Sequence, residues 1–111
     1  MPKQLFIGIT GHRDPRPQAV AGLRLAMENL YRQLARDGVV DLTMINGLAE
    51  GADRLAAQVF IETRRKMGAA NWRLHGVLPF DESEYIKDFP NLIDEYYALK
   101  NQCDEIITLP S

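Results

Sequence analysis

Apolar residues fall into segments whose spacing alternates between that of a buried strand and that of a helix. Leu5-Phe6-Ile7-Gly8-Ile9 is a short, nearly continuous apolar run stopped by Thr10-Gly11, the pattern of a strand buried on both faces, and it is expected to be a central parallel strand. After the breakers Asp14-Pro15-Arg16-Pro17, apolar positions recur at Val20, Leu23, Met27, Leu30 and Leu34. Ala26 and Tyr31 flank that stripe and Asp37-Gly38 closes it, which predicts an amphipathic helix. Val39 to Ile45 predicts a second strand ending at Asn46-Gly47, and Ala52, Leu55, Ala56, Val59, Phe60 and Met67 mark a second helix that stops at Gly68. Trp72 to Leu78 supplies a third strand, ended by Pro79. Residues 82–102 carry a looser helical pattern that Phe89-Pro90 divides into two short helices, and Ile106 to Leu109 gives a fourth strand.

Strands alternating with helices of this length predict an α/β fold with a parallel sheet of about four strands, right-handed crossovers and helices on both faces. The most economical strand order is 3-2-1-4. In open α/β sheets ligands bind beyond the carboxyl ends of the strands, where the winding reverses, which for that order lies between strands one and four. The loops that matter are then Thr10 to Pro17, Gly47 to Asp53 and Pro79 to Glu84.

At 111 residues the chain fits one domain, 1–111, with a single core. Its formal net charge of -2 provides no global field for nucleic acid or anionic lipid. The balance hides a gradient, because residues 1–75 hold eleven basic and seven acidic side chains, whereas residues 76–111 hold two and eight. The front suits a small anionic ligand, and the acidic tail disfavours a long polyanion. Cys103 is the single cysteine and no metal-type Cys/His cluster is present in the sequence, so neither a disulfide nor a metal site is expected and the compartment is expected to be the reducing cytoplasm. The run from Leu5 to Ile9 is too short for a signal-peptide core or a membrane span, so no membrane association is expected.

Two loops carry chemistry. In Gly8-Ile9-Thr10-Gly11-His12-Arg13-Asp14, Gly11 lets the backbone turn sharply, and Thr10, His12 and Arg13 add donors suited to phosphate or carboxylate oxygens. The spacing is neither the dinucleotide Gly-x-Gly-x-x-Gly nor the P-loop, and no carboxylate partner for His12 is identifiable from spacing. In Asn46-Gly47-Leu48-Ala49-Glu50-Gly51-Ala52-Asp53-Arg54, two glycines lead into a helix whose free N–H groups and dipole suit phosphate. Asp53 reads first as a capping carboxylate at that helix start, and Glu50 as a group able to hold a ribose hydroxyl.

Taken together, Gly-Ile-Thr-Gly-His-Arg-Asp after the first strand and Asn-Gly-Leu-Ala-Glu-Gly-Ala-Asp-Arg-Leu-Ala-Ala after the second resemble the SLOG superfamily, which includes the DprA/Smf and LOG (lysine-decarboxylase-like) proteins. The pair looks most like the small bacterial members with a Thr-Gly-His-Arg start. Val77-Leu78-Pro79-Phe80, Glu82 to Tyr85 and Asp88-Phe89 are similar to the Leu-Pro-Phe and Tyr…Phe run of the same proteins. The resemblance implies a Rossmann-like three-layer sandwich that binds a nucleotide or an ADP-ribose- or NAD-related molecule, with no further cofactor required. Carried over by position, the ligand-binding residues would be Thr10, Gly11, His12 and Arg13 in the first loop, Gly47, Leu48, Glu50, Gly51 and Asp53 in the second, and Pro79 and Phe80 in the third. Two alternatives follow from the same resemblance: a LOG-type nucleoside monophosphate phosphoribohydrolase in which Glu50 or Asp53 assists water attack, and a DprA-like module for single-stranded DNA.

The sequence departs from the superfamily in lacking a Gly-Gly-x-Gly-Thr loop, since it ends at Ser111 before a fifth strand. The fourth strand is therefore expected as an apolar edge, paired in a homo-oligomer or completed by another segment. Arg64-Arg65-Lys66 reads as favourable charge at a helix C-terminus, Trp72, Tyr96 and Tyr97 as core or interface residues, and Asp81 to Asp88 as a solvated loop and helix start.

Overall fold

The structure is a computed structural model that describes residues 3–8, 17–88, 90 and 93–110. Its elements run β1 (Lys3–Gly8), α1 (Pro17–Arg36), β2 (Val39–Asn46), α2 (Ala52–Met67), β3 (Trp72–Leu78), α3 (Glu82–Tyr85), a 3-10 turn at Ile86–Asp88, α4 (Ile93–Lys100) and β4 (Glu105–Thr108). This is an α/β fold with a four-stranded parallel sheet, and the element boundaries follow local chemistry. Pro17 opens α1 where its missing N–H would have had no partner. Gly68 ends α2 in the left-handed region at φ 63°, with its N–H reaching Arg65 O and the Ala69 N–H reaching Arg64 O.

The strand order is 1-2-3-4, not 3-2-1-4. β1 is an edge strand paired with β2, and β4 is added to the far side of β3. Local ties explain the choice. The Asp104 carboxylate accepts from the Leu74 N–H at 2.7 Å and from Arg64 Nη1 at 3.0 Å, which docks the start of β4 onto β3 and α2. Successive right-handed crossovers in this order place every helix on one side of the sheet. The helix–helix contacts agree: Tyr31 of α1 donates to Ala56 O of α2 at 2.9 Å, and Arg54 of α2 meets Glu95 of α4 at 3.2 Å. Among the described residues there are thus two layers rather than the three expected, in keeping with a thickness of 19 Å.

Strand residues alternate accordingly. Leu5 and Ile7 of β1, Leu42 and Met44 of β2, Leu74 and Leu78 of β3 and Ile106 of β4 face the helices. Phe60 of α2 lies at the centre of this core, edge-on to Tyr31 at 5.4 Å and stacked on Trp72 at 5.6 Å. The α1 stripe passes through Tyr31, which is fully buried, rather than Leu30, which is exposed. The Tyr31 hydroxyl tolerates burial because it donates to a helix carbonyl, and desolvation raises its pKa well above the usual phenol range. No helix among the described residues is long and apolar enough to cross a membrane.

Gly76 lets β4 approach. A Cβ there would meet Ile106 Cδ1 at 2.7 Å and Leu48 Cδ1 at 3.1 Å. Gly76→Ala is expected to destabilise by about 1–2 kcal/mol through overpacking, read as a lower urea midpoint with an unchanged slope. A midpoint equal to that of the parent chain would show that Ile106 moves aside freely.

Candidate functional site

The carboxyl ends of β2 and β3 bring two of the three loops together. β2 ends in the buried Asn46, whose side chain bridges the following turn. Its Oδ1 accepts from the Leu48 N–H at 2.7 Å and its Nδ2 donates to Asp53 O at 2.7 Å, an Asx turn closed at both ends. Leu48 takes φ 58°, a conformation a branched side chain rarely adopts, and its side chain is fully buried. Only its backbone is presented by the loop. The Leu48 carbonyl accepts from Arg54 Nε at 2.9 Å, while Arg54 Nη1 pairs with Glu95 at 3.2 Å and its guanidinium lies 5.9 Å from the Tyr96 ring centre. Arg54 is 1% exposed, so a charged side chain pins this loop from beneath.

Gly51 precedes α2 at φ 93° and ψ -132° with no side-chain cap on the helix, and the Leu55 N–H bonds to Gly51 O at 3.1 Å. Asp53 is therefore not the capping residue expected from the sequence; it lies in the first turn of α2. Its half-buried carboxyl is turned back on the loop, where burial pushes its pKa up and a hydrogen bond from the Ala49 N–H opposes that shift. Glu50 is half-buried in the turn itself. Gly47 is boxed in: a Cβ there would stand 3.3 Å from Asp53 Oδ2, 3.5 Å from Tyr85 Oη and 3.9 Å from Val77 O.

The third loop closes on the second through Tyr85, which donates to Gly47 O at 2.8 Å and packs edge-on against Phe80 at 5.6 Å. Phe80 is half-buried and Pro79 exposed. Glu82, read from sequence as part of a solvated stretch, instead joins α3 to α4 by pairing with Lys100 and accepting from Tyr96 Oη at 2.8 Å. Lys100 holds the Glu82 carboxyl below its usual range.

The structure thus brings Gly47, Leu48, Glu50, Gly51, Asp53 and Phe80 into one region, with Pro79 at its margin. Thr10, Gly11, His12 and Arg13 lie outside the described residues. β1 ends at Gly8, beside Ile45 of β2. The switch point expected between strands one and four does not exist in this order, because those strands occupy opposite edges. Sequence reasoning missed the roles of Arg54 and Tyr85, whereas Tyr96, expected as a core or interface residue, is fully buried. A signal was present for Arg54, which directly precedes the apolar pair Leu55-Ala56 in a helix packed on several sides.

A groove of about 330 Å³ between α1 and α2 is flanked by the ion pairs Arg24–Glu62 at 2.6 Å and Lys66–Glu28 at 3.4 Å, and shares no lining residue with these loops. Burial raises the Cys103 thiol to about 11, so it is not an activated nucleophile. No group of His, Cys, Asp and Glu among the described residues is arranged to hold a metal ion. No protein-family model and no curated protein sequence matches the chain.

Proposed function

We propose that the chain is a binding domain for a nucleotide or an ADP-ribose-related ligand, held beyond the carboxyl ends of β1 and β2 by the loops 9–16 and 47–53. The observation that carries this reading is the bracing of residues 46–54. A connection from strand to helix needs only a turn, whereas this one combines an Asx turn, two positive-φ residues and a buried arginine. Such bracing fixes loop backbone in advance of binding, which lowers the entropy lost when a ligand docks. The Gly51-led start of α2 and the sequence donors Thr10, His12 and Arg13 suit phosphate oxygens. The acidic residues Asp81, Glu82 and Glu84 beside the third loop favour a short ligand over a nucleic-acid strand.

The test is thermal denaturation across a panel of AMP, ADP, ADP-ribose and NAD. A ligand at 100 times its Kd is expected to stabilise the chain by about 2.7 kcal/mol, with a shift that grows with the logarithm of concentration. Arg13→Ala should reduce that shift, measured against the variant's own ligand-free Tm. A flat response to the whole panel overturns the reading, and release of free base from AMP, abolished by Glu50→Gln, replaces it with N-glycosidic hydrolysis.

A further inference from the structure

The sheet face turned away from the helices is apolar where it crosses the middle of the molecule. Phe6 is 60% exposed, Ile45 40% and Ile107 39%, and Val77 is half-buried on the same face. The register fixes their layout. Phe6 pairs with Thr43, which pairs with Arg73; Ile45 pairs with His75, which pairs with Glu105; and Val77 pairs with Ile107. With strands about 4.8 Å apart and residues about 3.3 Å apart, the apolar side chains form a diagonal stripe from Phe6 through Ile45 to Val77 and Ile107. The polar side chains lie on one flank of that stripe, as the pairs Arg73–Asp41 and His75–Glu105, the latter at 3.7 Å.

We propose that this face is a homodimer interface, covered by a second copy related by a two-fold axis that crosses the stripe at its midpoint. That operation turns the stripe end for end. On the same lattice it lays Phe6 of each copy over Ile107 of the other and Ile45 over Val77, with offsets of about 3 Å. It also lays Arg73 of each copy over Glu105 of the other. The charge pattern is therefore self-complementary, as an isologous contact requires. The two sheets cross near a right angle, one of the two standard ways in which sheets pack face to face. The face measures roughly 19 Å by 20 Å in projection, less than the ~800 Å² per partner of a standard interface, so the dimer is weak and reversible.

Sedimentation velocity from about 1 µM to about 1 mM tests it, a range that brackets the affinities of small interfaces. The intact chain should pass from monomer to dimer across that range. Ile45→Lys should weaken dimerisation at least about 10-fold, because it places a charge in the centre of the stripe. Arg73→Glu and Glu105→Arg should each abolish self-association, and an equimolar mixture of the two single variants should form a heterodimer, which also shows that both are folded. A chain that stays monomeric throughout overturns the proposal. So does association that survives Ile45→Lys and both charge reversals, which would move the contact to a strand edge.

Discussion

Replacing Arg54 with alanine should destabilise the chain by about 3–5 kcal/mol, the range for large-to-small changes in a core, and lower its Tm by on the order of 15 °C. Most of that loss is expected from packing and from the Leu48 carbonyl. The arginine stem is fully enclosed, so its removal opens a cavity, and the carbonyl loses the 2.9 Å bond from Nε that fixes the positive-φ residue of the loop. The pairing with Glu95 contributes little, because Glu95 is more than a third exposed and its attraction is screened. Arg54→Lys separates these contributions. Lysine keeps the charge and much of the stem but lacks a fork that can reach Leu48 O and Glu95 together, so an intermediate loss is expected. Urea denaturation of both variants checks the order. Equal stability of the lysine variant and the parent chain would mean that the carbonyl does not depend on the guanidinium.

How far this site was legible in the sequence depends on what kind of signal each residue leaves. Gly47 and Gly51 announced a turn, and the glycine at Gly68 and the proline at Pro79 ended their elements where the pattern said they would. Strand order was not legible. The run Leu5 to Ile9 is apolar on both faces, which reads as a strand covered from both sides, yet Phe6 is 60% exposed and β1 is an edge. Periodicity records which side chains avoid water and not what covers them; an apolar face awaiting a partner looks the same as one beneath a helix. The Asp53 reading failed for a related reason. A carboxylate near a helix start is usually a cap, but here the backbone conformation of Gly51 begins α2 without a side-chain cap and frees Asp53 to turn back on the loop. Tyr85 left almost no trace, because its partner Gly47 is distant in sequence.

Gly51→Ala is expected to cost about 2–3 kcal/mol, at the upper end of what sparsely populated backbone conformations store. At φ 93° and ψ -132° the backbone is in a region that residues with a Cβ essentially do not occupy, so alanine forces the turn open rather than adding a contact. The Gly51 carbonyl accepts the first bond of α2 from the Leu55 N–H, and Asp53 lies in the same turn, so the shift propagates into the loop that Asn46 holds. Gly22 provides the control. It lies in the middle of α1, is exposed, and a Cβ there meets nothing within 4 Å, so Gly22→Ala should stabilise the chain by about 0.5–1 kcal/mol. One methyl group thus has opposite signs at two glycines, for reasons that lie wholly in the backbone. If the loop 47–53 binds a phosphate-bearing ligand, Gly51→Ala also removes the ligand-dependent rise in Tm, whereas Gly22→Ala raises the baseline and leaves the ligand shift intact. Ligand stabilisation retained in Gly51→Ala would separate the binding site from this turn.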